Sequence, residues 1–423
     1  MRKVLVITYY WPPAGGPGVQ RWLKFVKYLR DFGVEPVLYI PENPQYPLLD
    51  ACFENEVPNG LTIYRQPIKE PYRIAGFFSS KKTRRISAGI IQTKNQSFLE
   101  KVLLWIRGNL FIPDARKFWV KPSVSFLRDV LEKEGIDTII TTGPPHSVHL
   151  IGYNLKQAKQ LNWIADFRDP WTTIGYHNKL RLTTFAKKKH KKLEAEVLNL
   201  ADKIIVTSKA TKIEFRQITK QPIKVITNGF DGAIVGNEKL DDNFTISHIG
   251  SLLSGRNPKN LWMVLSTLVK ENVEFKNALR LQFIGVVSDD VIQTIRDAGL
   301  FEHVVILGYV PHEKALAYQS TSQILLLVEI DSEETKGIIP GKVFEYMAAK
   351  RPILGIGPYN WEVGQIIKET NSGIILEHTD NITLKNVLLS WFEQFQKGGL
   401  NISSHNIEQY SRRELTRKLA EYI

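Results

Sequence analysis

Lys3-Val-Leu-Val-Ile-Thr-Tyr-Tyr-Trp-Pro-Pro-Ala-Gly-Gly-Pro-Gly-Val-Gln-Arg21 decides the fold. Its apolar, β-branched first half reads as a buried strand, and Pro12, Pro13 and the glycines Gly15, Gly16 and Gly18 close it in a turn. Arg21 to Phe32 follows with helical periodicity, and Glu35 to Ile40 reads as a second strand. Strand, crossover helix and strand in that order make a parallel pair. Working outward, similar runs recur at Thr138 to Thr142, Trp163 to Asp166, Lys203 to Thr207 and Lys224 to Thr227, with helical patterns between several of them. The rhythm restarts at Phe244 to Gly250 and continues through Leu279 to Gly285, Val304 to Gly308, Gln323 to Val328, Pro352 to Gly355 and Gly373 to Leu376. The class is therefore α/β, with two Rossmann-like doubly wound domains. The Gly- and Asn-rich stretch Asn228 to Asn237 reads as the connection, which puts the first domain at 1–236 and the second at 237–404.

The 423 residues suit two domains, and 43% hydrophobic with 23% charged residues is a globular composition. Cys52 is the only cysteine, so a disulfide framework or multi-thiolate metal site is excluded and a reducing, cytoplasmic setting is expected. No 18-residue apolar run offers a membrane-spanning helix. The net charge of +13 is uneven: Lys69 to Asp129 holds 13 Lys/Arg against 4 Asp/Glu, and Lys179 to Lys192 holds 7 with no acid. Such surfaces attract phosphates on lipids, sugar nucleotides or nucleic acids. The insertion Tyr72 to Asp114 mixes this charge with Phe77, Phe78 and Trp105. It reads either as a membrane-interface segment or as a packed helix with solvated lysines. No stacking-aromatic module accompanies the charge, so an anionic membrane is the expected partner and nucleic acid is not.

Three turns carry candidate chemistry. Gly15, Gly16 and Gly18 precede a helix, where backbone N–H groups and the dipole favour an anion, although a glycine turn without ligand reads the same way. Arg256 and Lys259 follow the Gly250 turn at the carboxyl end of a strand, the usual ligand-binding edge of open α/β sheets. Pro340-Gly341-Lys342-Val-Phe-Glu345 places a cation and a carboxylate on one helix face. That pair suits the phosphates and ribose of a nucleoside diphosphate, or else is a plain i, i+3 ion pair.

From Asn228 to Leu354 the chain resembles the retaining GT-B glycosyltransferases, especially the large family 4 that makes cell-surface glycans. Val225-Ile-Thr-Asn-Gly-Phe-Asp231 is similar to the family's V-I-P-N-G-V-D connector, and His248-Ile-Gly250 to its V-G-R turn. Leu307-Gly-Tyr309-Val-Pro-His-Glu313 and Pro340-Gly-Lys342-Val-Phe-Glu345-Tyr-Met-Ala resemble its G-x-V-P-x-x-E and P-S-K-x-x-E-Y-x-A segments. Two departures stand out: Gly337 occupies the place of the first of the paired glutamates, and Ser251 that of the arginine after the glycine. The acids Glu329, Asp331, Glu333 and Glu334 either replace the missing carboxylate or form a solvated loop.

The resemblance implies two domains facing a central cleft, with a final helix, 405–423, crossing back to the first. It implies a donor set of Gly250, Arg256, Lys259, Tyr309, Gly341, Lys342 and Glu345. In the first domain His146 is the expected cleft histidine, catalytic together with Asp169, or else a helix cap. Gly15, Gly16, Gly18, Asp166 and Arg168 are expected at an acceptor or phosphate loop, the charged residues reading equally as a buried ion pair. Donor and acceptor are expected to be a nucleoside diphosphate sugar and a glycan or lipid-linked molecule, with retention. No metal or cofactor is expected, and the location is cytoplasmic, peripheral on the inner face of the membrane. The alternatives are a nucleotide-sugar epimerase of the same architecture and a non-catalytic nucleotide-sugar or nucleic-acid binding protein.

Overall fold

Val4, Leu5, Val6 and Ile7 are all fully buried, as a strand covered by helices on both faces requires. A computed structural model describes residues 1–70, 98–175, 177–232, 239–400 and 402–423. They form two units, Met1–Asn228 with Arg412–Ile423, and Gly229–Ser411. The division falls several residues before the expected 236/237 boundary, and the return falls after residue 405. Phe230 explains both offsets: its N–H donates to the Tyr410 carbonyl at 3.2 Å, and Phe230, Ile407 and Tyr410 share a core with Phe344.

The first unit holds β1 (Arg2–Ile7), β2 (Val34–Pro41), β3 (Thr62–Gln66), β4 (Thr138–Gly143), β5 (Asn162–Phe167), β6 (Lys203–Val206) and β7 (Ile223–Val225). They lie in the order β3-β2-β1-β4-β5-β6-β7, every pairing parallel. Helices α1 (Pro17–Leu29), α2 (Phe98–Leu110), α3 (Lys117–Glu134), α4 (Ser147–Ala158), α5 (Thr184–Leu200) and α6 (Lys209–Arg216) connect them. Side chains alternate across the sheet. Val4 and Val6 pack with Trp22, Phe25 and Val26 of α1, whereas Leu5 and Ile7 pack with Trp119 and Leu127 of α3 and Val148 of α4.

The second unit holds β8 (Phe244–Ile249), β9 (Leu279–Ile284), β10 (Val304–Gly308), β11 (Ile324–Val328), β12 (Ile353–Gly357) and β13 (Gly373–Glu377), again parallel, in the order β10-β9-β8-β11-β12-β13. Its helices are α7 (Lys259–Glu271), α8 (Val273–Ala278), α9 (Asp289–Asp297), α10 (His312–Thr321), α11 (Lys342–Ala348), α12 (Glu362–Thr370) and α13 (Asn381–Gln396). The last helix, α14 (Arg412–Ala420), belongs to the first unit, where Leu415, Leu419 and Ile423 join the α1 core. Its terminal carbonyls are satisfied by cations: Lys224 donates to Lys418 O at 2.9 Å, Lys203 to Tyr422 O at 2.7 Å and Arg2 to Ile423 O at 3.0 Å.

Strand order reverses between β1 and β4 in the first sheet and between β8 and β11 in the second. Loops leaving the carboxyl ends of those strands diverge there and open the crevice in which doubly wound sheets bind ligands.

Candidate active site

The second unit's reversal is bordered by Gly250, which follows β8, and Glu329, which follows β11. Gly250 has φ +114, and Gly285 has φ +124 with its Cβ position 2.5 Å from the Gly250 carbonyl oxygen. Two strand ends thus approach too closely for any side chain, and both positions require glycine. Lys342 of α11 reaches this turn. Its Nζ donates to His248 Nε2 at 3.1 Å and to the Ile249 carbonyl at 3.1 Å. Burial first, then the nearby Arg256 charge, lowers the Lys342 amine to about 7, against the opposing pull of Glu329 and Glu345.

Arg256 forms a two-pronged ion pair with Glu329, Nε–Oε1 at 2.9 Å and Nη2–Oε2 at 3.1 Å. Glu329 is fully buried, so of the four acids weighed for the missing carboxylate it is the one inside the site. Glu345 makes no contact with Lys342. Its oxygens accept from Gln319 Nε2 at 3.2 Å and meet His312 Nε2 at 3.1 Å, so the plain ion-pair reading of the helix does not hold. Lys259 is exposed at the start of α7 and makes no side-chain hydrogen bond or ion pair among the described residues. Tyr309 is 71% exposed. Gly341 has open space where a Cβ would stand, so nothing there demands glycine.

In the first unit, Gly16 with φ +97 starts α1, and a Cβ on Gly18 would lie 2.1 Å from Arg168 Nη1. The Nη1 end of the guanidinium therefore abuts the glycine, and the group is anchored by Nε to the Gly143 carbonyl at 3.2 Å, by Nη2 to the Pro144 carbonyl, and over the Tyr10 ring at 5.7 Å. Gly15 faces elsewhere, its N–H donating to Leu48 O at 2.9 Å. Asp166 is corrected outright as a ligand-binding candidate, because its side chain is completely buried and spent on the scaffold. It accepts from Arg21 Nη2, Trp22 Nε1 and Thr142 Oγ1, each at 2.8 Å. Burial of both partners makes this an internal tie between α1, β4 and β5.

His146 occupies the N-cap position of α4 but caps nothing; Asp114 does that work, accepting from Ser147 N and Ser147 Oγ at 2.8 Å. The His146 ring stacks on Trp171, centroids 4.9 Å apart and 3° from parallel, with both ring nitrogens unpaired among the described residues. Burial, reinforced by the neighbouring His149 and His177 and by Arg168, holds it neutral, well below the usual histidine range. His149 beside it meets Thr141 Oγ1 at 2.9 Å and is lowered to about 3 by burial. Burial raises the Asp169 carboxyl, with Arg168 opposing, and its carboxylate has no hydrogen-bond partner among the described residues. Among those residues no group of three or more His, Cys, Asp or Glu is arranged to hold a metal ion.

Each unit thus has a glycine turn at its sheet reversal. Residues 91–233 match the family model of Glycosyltransferase Family 4. This chain is a glycosyltransferase resembling family 4. Among solved structures, the Anabaena protein Alr3699/HepE in complex with UDP superposes with a TM-score of 0.57 at 13% identity, covering 100% of this chain and 95% of that one. Sucrose-phosphate synthase from Thermosynechococcus elongatus gives 0.54 at 13% identity, with 100% and 94% covered. UDP-GlcNAc 2-epimerase from Methanocaldococcus jannaschii gives 0.50 at 11%, with 100% and 99% covered. At such identities these likenesses establish the two-domain GT-B fold alone. A search of the curated proteins finds no match.

Sequence reading of this glycosyltransferase missed His248, Gly285, His312 and Gln319. His248 meets Lys342 across 94 residues of chain and Gln319 meets Glu345 across 26, so no local pattern joins them. Gly285 alone left a signal, ending an apolar strand as Gly250 does.

Proposed function

We infer that this glycosyltransferase takes a sugar from a nucleoside diphosphate sugar, bound in the second domain, and passes it with retention to a glycan or lipid-linked acceptor in cell-surface polysaccharide assembly. The observation that carries the donor assignment is Lys342: a desolvated amine held at the Gly250 turn by neutral acceptors, with no carboxylate paired to it among the described residues. A diphosphate there would gain negative charge as the glycosidic bond breaks, and a preset cation in a water-poor turn stabilises that charge in the transition state. Glu345, steadied by His312 and Gln319, retains acceptor capacity for ribose hydroxyls. His146 and Asp169, one neutral and unpaired and the other a carboxyl raised by burial, are the groups of the first domain suited to sugar or acceptor hydroxyls.

The acceptor side is proposed to meet an anionic membrane through the first domain. Phe98, Trp105 and Leu110 of α2 are 83%, 42% and 55% exposed, and Phe118 and Phe185 add 52% and 73%. Lys117 packs against Phe111 and Phe118, and Lys187 to Lys192 follow on α5. Apolar rings beside lysines suit a headgroup interface. The basic cluster Lys81 to Arg85 lies outside the described residues. No described helix is long and apolar enough to cross a membrane. Sedimentation with anionic vesicles, weakened by salt, is the expected result, and equal binding to neutral vesicles would remove the electrostatic reading.

Donor binding is tested by thermal shift against UDP-, GDP-, ADP- and dTDP-sugars. Stabilisation by one of them should vanish in Lys342→Ala and weaken in Glu345→Ala. The epimerase alternative is separated by product analysis, since epimerisation leaves the nucleotide attached and transfer releases it.

A further inference from the structure

His248 is a buried, neutral histidine at the carboxyl end of β8. Its two nitrogens have different partners. Nδ1 lies 3.0 Å from the Leu326 carbonyl, which can only accept, so Nδ1 carries the proton and donates. Nε2 is then an acceptor, and the group 3.1 Å away is the Lys342 ammonium. The Leu326 carbonyl on β11 therefore sets the tautomer that receives the lysine on α11, a chain of three contacts spanning the β8–β11 reversal. Lys342 Nζ also lies 3.4 Å from the Cβ position of Gly250, so the same contact stations it over the turn.

We propose that His248 is the positioning residue of the donor site, its neutral Nε2 holding the Lys342 ammonium over the Gly250 turn, ready for a phosphate oxygen. The related family's arginine after the glycine is Ser251, which is exposed, and Arg256 is committed to Glu329. Lys342 is consequently a buried cation available at the turn to an incoming anion, and His248 receives it without neutralising it as a carboxylate would. The groups facing Lys342 are Arg256 from the turn after β8, Glu329 from the end of β11, Glu345 and Tyr346 from α11 itself, and His248. His312 and His378 stand behind, on Glu345 and on the Glu329 carbonyl. Burial and then Arg256 lower Lys342 to about 7, so ammonium and amine coexist near neutral pH and an anion arriving there draws the proton fully onto Lys342.

The consequence is read without any nucleotide. In protein isotope-labelled at the lysine Cε, nuclear magnetic resonance should find one lysine titrating near pH 7, identified by its loss in Lys342→Met. In His248→Asn the shorter amide still reaches Leu326 O but not Lys342, and the midpoint should fall by about one pH unit. In His248→Gln the longer amide again offers an acceptor and the wild-type midpoint should return. Equal midpoints in wild type, Asn and Gln would overturn the proposal, as would a Lys342 that titrates with the exposed lysines. The proposal rests on the donor-site reading only for the identity of the anion. Absence of binding by every nucleotide sugar would sink that reading and leave the titration result to stand by itself.

Discussion

Removing the charge of Asp166 should destabilise the first domain, because the carboxylate is the partner of a buried arginine. Its carboxylate and the Arg21 guanidinium are both completely buried, joined Nη2–Oδ1 at 2.8 Å and Nε–Oδ2 at 3.3 Å. Asp166→Ala leaves Arg21 with only the Thr227 carbonyl at 2.8 Å, and strips Trp22 Nε1 and Thr142 Oγ1 of their acceptor. An uncompensated buried charge costs about 3–5 kcal/mol, and at roughly 2–4 °C per kcal/mol the unfolding transition of a domain this size should fall by about 10 °C. Asp166→Asn keeps the shape and two acceptor contacts and should cost less, about 2–3 kcal/mol. Burial by itself would raise the Asp166 pKa, but the Arg21 charge and the hydrogen bonds outweigh it and lower it. The carboxylate's contribution is thus present above the unfolded value of about 4 and lost as pH falls through the lower folded value. Calorimetry and urea titration of both variants measure this. An Asp166→Ala protein within about 1 kcal/mol of wild type would refute the reasoning, because no exposed group could bear so small a penalty for a stranded buried arginine.

The neutral buried histidines add to the same acid-side loss of stability, beginning at a higher pH. His149 is lowered to about 3 and His177 to about 4, while the unfolded chain takes up their protons near pH 6.5. Stability should therefore be full above about pH 6.5 and fall by up to about 1.4 kcal/mol per pH unit for each such histidine as pH drops toward 4, and His149→Phe should flatten the slope by one proton, read by urea titration at several pH values. Gly285→Ala, which drives a methyl to 2.5 Å from Gly250 O, should weaken nucleotide-sugar binding although it removes no charged group, as measured by calorimetry. Leu419→Ala, emptying a fully buried site between α14 and α1, should cost the first domain about 3 kcal/mol by chemical denaturation.

Strands buried on both faces announce themselves as apolar runs, which is why β1, β4, β8 and β11 were legible without coordinates. The edge strand β3 was not, because Thr62-Ile-Tyr-Arg-Gln66 is half polar and half exposed. In the site, Lys342 and Glu345 were legible from their helical spacing, whereas their partners are brought in by the sheet. Arg256 was read as a phosphate ligand from its charge and its place after the Gly250 turn, and only the return of β11 puts Glu329 against it. The same limit applied to Asp166: an aspartate at a strand end looks alike whether it faces a ligand or Arg21.

The central claim is that a nucleoside diphosphate sugar binds the second domain through Lys342, and calorimetric titration of wild type against Lys342→Met with the sugar nucleotide that stabilises the protein tests it most directly. Loss of one desolvated phosphate contact of this kind should weaken binding by about tenfold or more while the unfolding temperature of the free protein is kept or raised, because a buried cation is removed. Equal affinity in the two proteins would contradict it.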